Sequence, residues 1–258
     1  MCLIAISVTK EVDWKGKEAY FFTVVANRDE YHERPTSPLK WWAGDEILAG
    51  RDELAGGTWL GFSKSGRFAA LTNYKEDASR KFKSSRGLLV TDFLESTQSS
   101  KPYLENLNGQ DYAGFNLIVG DKNGLFYYCN RQEGIYLIPE GIHALGNLTL
   151  NHETAKISSV KMDLEELFLS DFKTQSALDM MKKEYGKLYE KSKEELKSKE
   201  SIEIPYRFIR SKLYGTRCTS VCRTLPTGDI EFSEQSYLEE GVSGKRVEFT
   251  FTIKSSIS

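Results

Sequence analysis

The chain has 258 residues, 35 Lys and Arg against 37 Asp and Glu, a formal charge of −2, and 40 % hydrophobic residues. These fractions belong to a globular protein and exclude disorder over most of the chain; a charge so near zero argues against a dedicated nucleic-acid binder, which needs a basic surplus to displace counterions. No run approaches the roughly 20 apolar residues of a membrane-spanning helix, since the longest, 19–26, is short and contains a threonine.

In chain order, residues 2–8 read as a β-strand, Trp14-Lys15-Gly16-Lys17 as a turn, and 20–26 as a second strand. That strand ends in the charged run Asn27-Arg28-Asp29-Glu30. Further strands are predicted at 46–49, 58–62 and 67–72, punctuated by Gly56-Gly57 and Gly66. The pattern then changes: Leu88, Leu89, Phe93 and Leu94 recur at helical spacing and predict a helix over 87–95. Strands return at 115–119, 125–129, 135–138 and 143–145. Residues 151–200 read as mainly helical. Ile157, Val160, Leu164, Leu167 and Phe168 form one apolar stripe there, and Leu178, Met181, Tyr185, Leu188 and Tyr189 another. The Lys/Glu-rich stretch 182–200 reads as a solvated helix face with i,i+4 pairs. Strands at 215–224, 230–232 and 245–253 close the chain. With no repeat and no linker in view, this order describes a single α+β domain over 1–258, its sheets covered by segregated helices.

Familiar catalytic motifs are missing. His32, His143 and His152 have no His-Glu-x-x-His spacing, and no cysteine pair has the spacing of a zinc ribbon, so no metal site is expected. Gly61 and Gly66 have the glycine spacing of a P-loop, but Arg67-Phe68 follows where Lys and Ser/Thr belong. Gly-x-Ser-x-Gly is absent. Cys218 and Cys222, four apart on a predicted strand, share a face, for which packing is the simpler reason.

What remains is Cys2, followed at once by strand-like sequence. Initiator methionine is normally trimmed before a small residue, which would leave a thiol and a free α-amine on one residue. An α-amine titrates at about 7.7–8.0 and can accept a proton near neutrality. The residue then supplies both nucleophile and base, and no histidine is needed. Alternatively, Cys2 is a small apolar residue in a buried strand. Polar residues at predicted strand ends keep it company: Arg28 and Asp29 after the second strand, Asn73 in Leu71-Thr72-Asn73-Tyr74, and Asn147 in Leu145-Gly146-Asn147. Each reads as a turn residue or as a site group, an asparagine amide being able to donate to a developing oxyanion. Arg217 reads either as one half of a surface ion pair or as an inward cation that would depress a neighbouring thiol's pKa.

Seven segments occur in one order between residue 1 and about residue 235. They are Met1-Cys2, Ala26-Asn27-Arg28-Asp29-Glu30, Gly56-Gly57-Thr58-Trp59-Leu60-Gly61, Ala69-Ala70-Leu71-Thr72-Asn73-Tyr74, Arg86-Gly87-Leu88-Leu89-Val90, Gly114-Phe115-Asn116-Leu117 and Tyr214-Gly215-Thr216-Arg217. Together they resemble the NRDE family, also called the transport-and-Golgi-organisation protein 2 family. The resemblance implies a cysteine-type N-terminal-nucleophile hydrolase fold: a four-layer αββα sandwich of two antiparallel sheets flanked by helices. More distantly, it implies kinship with the bile-salt hydrolase and penicillin V acylase group, which cleaves amides through an N-terminal cysteine. By that analogy Cys2 is the nucleophile, and Arg28 with a neighbouring acid (Asp29, or else Glu30) tunes its thiol and amine. Asn73 (or the Tyr74 backbone amide) and Asn147 would line the oxyanion hole, and Arg217 would stand near the sulfur. The chain departs from these patterns in three places. Arg28 and Asp29 are adjacent where the acylases separate the pair by two residues, Gly146 replaces a usual serine, and the Lys-rich stretch before Tyr214 has no counterpart.

Two classes of function follow from the resemblance. One is an N-terminal cysteine hydrolase of non-peptide C–N bonds, acting on a small-molecule amide or N-acyl substrate and requiring no cofactor. The other is a non-enzymatic protein reusing the fold, for which the family implies haem trafficking or lipid and acyl-CoA metabolism. Lacking a Cys-x-x-Cys-His attachment motif, it would hold haem non-covalently. Four scattered cysteines and an N-terminus unlike a signal peptide point to a cytoplasmic setting.

Overall fold

Burial on both faces of the first hairpin sets the layering. The structure is a computed structural model describing residues 2–76, 82, 84–183 and 206–253. β1 (Cys2–Val12) and β2 (Glu18–Tyr31) pair antiparallel around a turn in which Gly16 takes φ +74°. Side chains alternate along a strand. Ile4, Ile6 and Val8 accordingly join one core cluster with Phe22, Val24 and Ala26, while Leu3, Ala5 and Val25 join a second. A hairpin apolar on both sides must be covered twice.

The described strands form two antiparallel sheets. In the first, the hairpin is flanked by β10 (Gly141–Leu145) on one side and by β11 (Tyr214–Thr224), β12 (Asp229–Tyr237) and β13 (Ser243–Thr252) on the other. The second runs in chain order through β3 (Thr36–Trp41), β4 (Ile47–Asp52), β5 (Leu60–Ser63), β6 (Phe68–Asn73), β7 (Phe115–Asp121), β8 (Gly124–Cys129) and β9 (Ile135–Leu137). Between the sheets, Phe22, Phe62 and Phe68 pack with centroids 5.0–6.1 Å apart. Each such ring contributes about 2–3 kcal/mol by leaving water. α1 (Gly87–Glu95) and α2 (Ser100–Glu105) cover the outer face of the second sheet through Leu89, Phe93 and Leu104. α3 (Ala155–Leu169) and α4 (Thr174–Met180) cover the first through Ile157, Val160, Leu164 and Leu178. Thr154 caps α3 by accepting the Ile157 N–H at 3.3 Å. The result is the expected four-layer αββα sandwich. No described helix is long and apolar enough to cross a membrane.

Three features differ from the sequence reading. The run 27–30 is not a turn but the continuation of β2, hydrogen-bonded to β1 and β11 on its two sides. β3 was not anticipated, because Pro38 reads as a breaker and Leu39 is its one buried residue. The strand tolerates Pro38 because it lies at the sheet edge, where its register slips between Ser37 and Lys40. α2 was also missed, since Leu104 is its one apolar anchor. The helical reading of 151–200 holds for α3 and α4. Residues 184–200, including Tyr185, Leu188 and Tyr189, lie outside the described residues.

Candidate active site

Strand register places two thiols on either side of one guanidinium in a row across the inner face of the first sheet. Cys2 stands opposite Arg28, and Arg28 opposite Cys218. Cys2 is part-buried at the start of β1, facing inward like Ile4 and Ile6. Arg28 is only 5 % exposed. Its guanidinium lies 4.2 Å from the Trp59 ring centroid, donates to Thr36 Oγ1 at 3.2 Å and approaches Asp52 Oδ2 at 3.6 Å. Arg34 Nε donates to the same oxygen at 2.7 Å, while the Leu54 and Ala55 N–H groups donate to Asp52 Oδ1. Burial pushes the Asp52 pKa up, but Arg34, the Ala55 N–H and the Arg28 charge outweigh it and hold the carboxyl below the usual range. Arg28 is thus clamped against an ionised acid on one side and an indole face on the other.

Because β2 continues, Asp29 points to the opposite face from Arg28. Its Oδ1 accepts from Thr216 Oγ1 at 2.7 Å, and Thr216 Oγ1 itself accepts the Ile209 N–H at 2.9 Å. Burial raises the Asp29 pKa, partly offset by Thr216 and by the charges of Lys156 and Arg28. Asp29 still acts on Cys2, through its charge and its backbone N–H. Glu30 Oε1 accepts the Tyr31 N–H at 2.8 Å, and its other oxygen lies 4.0 Å from Arg34 Nε. Burial raises the Cys2 thiol pKa; the Asp29 charge adds to this, and Arg28 opposes it.

A cleft of about 170 Å³ opens here, lined by Cys2, Arg28, Trp59, Asn73 and Arg86 among others. Asn73 ends β6 and faces the cleft. The Tyr74 N–H donates to the Gly114 carbonyl at 2.9 Å, so that backbone group is already engaged. Asn147, 2 % exposed, donates from Nδ2 to the Asn73 carbonyl at 2.8 Å, standing behind Asn73 and not on the cleft wall.

Arg217 is placed elsewhere. The register of β11 against β2 slips between Thr216 and Cys218, leaving Arg217 as the bulged residue. Its Nη1 donates to the carbonyls of Tyr31, His32 and Arg34 at 2.8–3.3 Å, tying down the β2–β3 connection away from the sulfur. Beside Arg28 and Arg34 the cleft holds a third cation, Arg86, which donates to the Gly114 carbonyl at 2.9 Å and feels the charges of Glu76, Cys2 and Glu30. Arg86 and the buried Lys156 were not anticipated as site residues. Arg86 lay within a matched motif; Lys156, inside a helix start, carried no sequence signal.

Gly56-Gly57 lets the cleft close. A Cβ on Gly57 would sit 2.4 Å from the Gly87 carbonyl carbon and 2.5 Å from its oxygen, so only glycine allows the β4–β5 loop to touch the start of α1. Trp59 and Arg86, close in sequence to that contact, both line the cleft. Gly56 has φ +77° but open space around it. Gly57→Ala is therefore expected to cost about 3 kcal/mol through overpacking, and Gly56→Ala only about 1 kcal/mol of backbone strain. Urea titration of both variants checks the order; equal losses would show that the backbone contact is not the constraint.

Glu234, 2 % exposed, lies on the inner face of β12 opposite Ser220. Its Oε1 accepts the Leu39 N–H at 2.8 Å. Burial drives its pKa upward, and the Leu39 N–H, Cys218, the Arg28 charge and Ser220 offset this only in part. A raised folded-state pKa gives stability that is complete below the unfolded value of about 4.3 and lost as pH rises through the folded one. Glu234→Gln keeps the Leu39 contact without the charge. Its melting temperature should match wild type near pH 4 and exceed it at pH 8; a wild type at least as stable at pH 8 would contradict this.

Two stacked antiparallel sheets between helical layers, with a cysteine opening the first strand, define the N-terminal-nucleophile hydrolase-like fold. The solved Caenorhabditis elegans N-acylethanolamine-hydrolyzing acid amidase ortholog shares this fold, with a TM-score of 0.51 over 88 % of this chain and 93 % of that one, at 12 % identity. The sequence profile described as Transport and Golgi organisation 2 matches residues 1–239, and the chain belongs to that family. It is 32 % identical to the mouse Transport and Golgi organization 2 homolog and 31 % identical to the human homolog, in each case over 93 % of this chain and 95 % of the relative.

Proposed function

We propose that the chain is an N-terminal-nucleophile amidohydrolase that cleaves a C–N bond other than a peptide bond, with Cys2 as nucleophile once Met1 is removed. One observation carries the reading: strand register holds the Cys2 thiol opposite a buried, clamped arginine at the mouth of a cleft. Burial raises the thiol pKa, so the sulfur needs a base, and once Met1 is removed its own α-amine supplies one on the same residue. In acylation the thiol proton passes to that amine as sulfur adds to the amide carbonyl. The Asn73 side-chain amide donates to the oxyanion. Asn147 fixes the Asn73 backbone, and Arg28 favours the thiolate form. The α-ammonium then protonates the departing amine, leaving a thioester. Water, deprotonated by the same amine, attacks the thioester and releases the carboxylic acid. Asp29, held by Thr216 and set near Lys156, orders the charges around the amine. The described cysteines are all free, which supports a reducing, cytoplasmic setting.

Intact-mass measurement comes first, followed by a screen of N-acyl amides that begins with N-acylethanolamines, the substrates named for the structural neighbour. Loss of Met1 and turnover that depends on Cys2 are expected. Turnover by protein retaining Met1 would overturn the reading. A saturable Soret shift with hemin, without any amide turnover, would instead favour a haem carrier.

A further inference from the structure

A second cavity, of about 790 Å³, lies at the far end of the sandwich. It adjoins the end of β1 at Val12, roughly 33 Å from Cys2 at 3.3 Å per strand residue. Its walls come from the β1–β2 turn, the first residues of β2, the β5–β6 turn, the α1–α2 loop and the β7–β8 turn. Trp14, Tyr20, Phe21, Phe22 and Ile253 supply apolar surface. Trp14 is 56 % exposed, an unusual state for an indole beside a concave surface. The size is that of a site for one drug-sized molecule, and an apolar wall with a few polar groups is the ordinary make-up of such sites.

The polar lining is balanced in number but not in occupancy. Asp13 accepts the Lys15 and Lys17 N–H groups, and Asp121 accepts those of Ser100 and Asn123. Asp229 accepts from the Thr227 and Thr252 hydroxyls. Local donors therefore hold all three carboxylates. Arg67 differs. Its Nε donates to the Phe93 carbonyl at 3.1 Å and its guanidinium lies 4.0 Å from the Phe93 centroid; its Nη2 is shut off from solvent and unpaired among the described residues, while Nη1 carries no hydrogen bond there and Asp121 acts on the group through charge alone. A carboxylate in the cavity would meet Arg67 through Nη1, and a charge-assisted hydrogen bond of that kind is about twice as strong as a neutral one. Exposed Lys122 stands on the same rim.

We propose that this cavity is a second binding site, for an apolar, aromatic-bodied carboxylate whose head is taken by Arg67 while its body lies against Trp14, Tyr20 and Phe22. The proposal is independent of any reaction at Cys2. The test uses the full chain and a matched fluorescent pair, 1-pyrenebutyrate and 1-pyrenebutanol, titrated by anisotropy. Pyrenebutyrate should bind saturably at one equivalent, about tenfold or more tighter than the alcohol, as a charge-assisted hydrogen bond gives. Arg67→Met should remove that preference, and Arg67→Lys should retain part of it. Thr97→Trp, on the exposed rim, should fill the cavity and weaken both probes even if the Arg67 variants fold poorly. Cys2→Ala should bind both probes as wild type does. Equal affinity for acid and alcohol, or undiminished binding in Thr97→Trp, would overturn the proposal.

Discussion

Cys2→Ala is expected to reduce turnover of any amide substrate by about 10³-fold or more, the scale on which removal of a covalent nucleophile acts. Its fold should survive, since a part-buried residue at the first position of β1 anchors little core and such changes cost about 1 kcal/mol or less. Cys218 supplies the control. It faces the same interior, on the other side of Arg28, yet burial and the nearby Glu234 hold its thiol well above the ordinary range. Cys218→Ala should therefore keep full turnover and lose only packing. A thiol scan separates the two further: iodoacetamide should label Cys2 first, with a rate that climbs as pH rises, because burial lifts that thiol as well. The pH dependence of kcat/KM has a different origin. It should rise through the α-amine range of roughly 7.7–8.0, where the base loses its proton. Activity that persists in Cys2→Ala, or that moves to Cys218, would remove the catalytic assignment.

Hydropathy alone revealed elements whose burial is one-sided or periodic. The 87–95 helix shows in Leu88, Leu89, Phe93 and Leu94, of which the structure buries the last three against the second sheet and leaves Leu88 exposed. The buried polar residues of β2 could not be read in this way. Asn27 lies inside a sheet because distant groups satisfy it: it donates to the Arg207 carbonyl at 2.7 Å and accepts from Thr219 Oγ1 at 2.6 Å. Asp29 depends on Thr216 in the same way. Partners some 180 residues away leave no local pattern, so the run read as a turn. The structure brings Cys2, Arg28 and Asn73 to one cleft, because those residues keep the strand alternation. Arg217 does not line that cleft, since a single bulged residue reverses the face of every side chain beyond it and nothing in Tyr214-Gly215-Thr216-Arg217 announces a bulge. Asn147 was half legible: its neighbourhood was right, but its amide supports Asn73 from behind.

Arg28→Met should have the largest combined effect on stability and on thiol chemistry. The guanidinium is nearly inaccessible and makes three contacts at once: the Trp59 face, the Thr36 hydroxyl and the Asp52 carboxylate. Methionine fills similar volume and removes all three. Deleting one partner of a buried pair costs about 3–5 kcal/mol when the survivor is left alone. Asp52, however, keeps Arg34 and the Leu54 and Ala55 N–H groups, so the expected loss is nearer 2 kcal/mol, read as a lower urea midpoint. The effect on Cys2 is separate. Arg28 lowers the thiol pKa against burial, so without it the pKa rises further and alkylation at a fixed pH near 8 should slow by about tenfold, one pKa unit's worth. Arg28→Lys distinguishes charge from shape. A lysine ammonium restores the positive charge beside the sulfur but cannot stack flat on Trp59 or fork between Thr36 and Asp52. It should therefore recover much of the Cys2 reactivity and little of the stability. If both variants lost stability while Cys2 alkylation kept its wild-type pH profile, Arg28 would be a structural pillar of the cleft and not a tuner of the thiol.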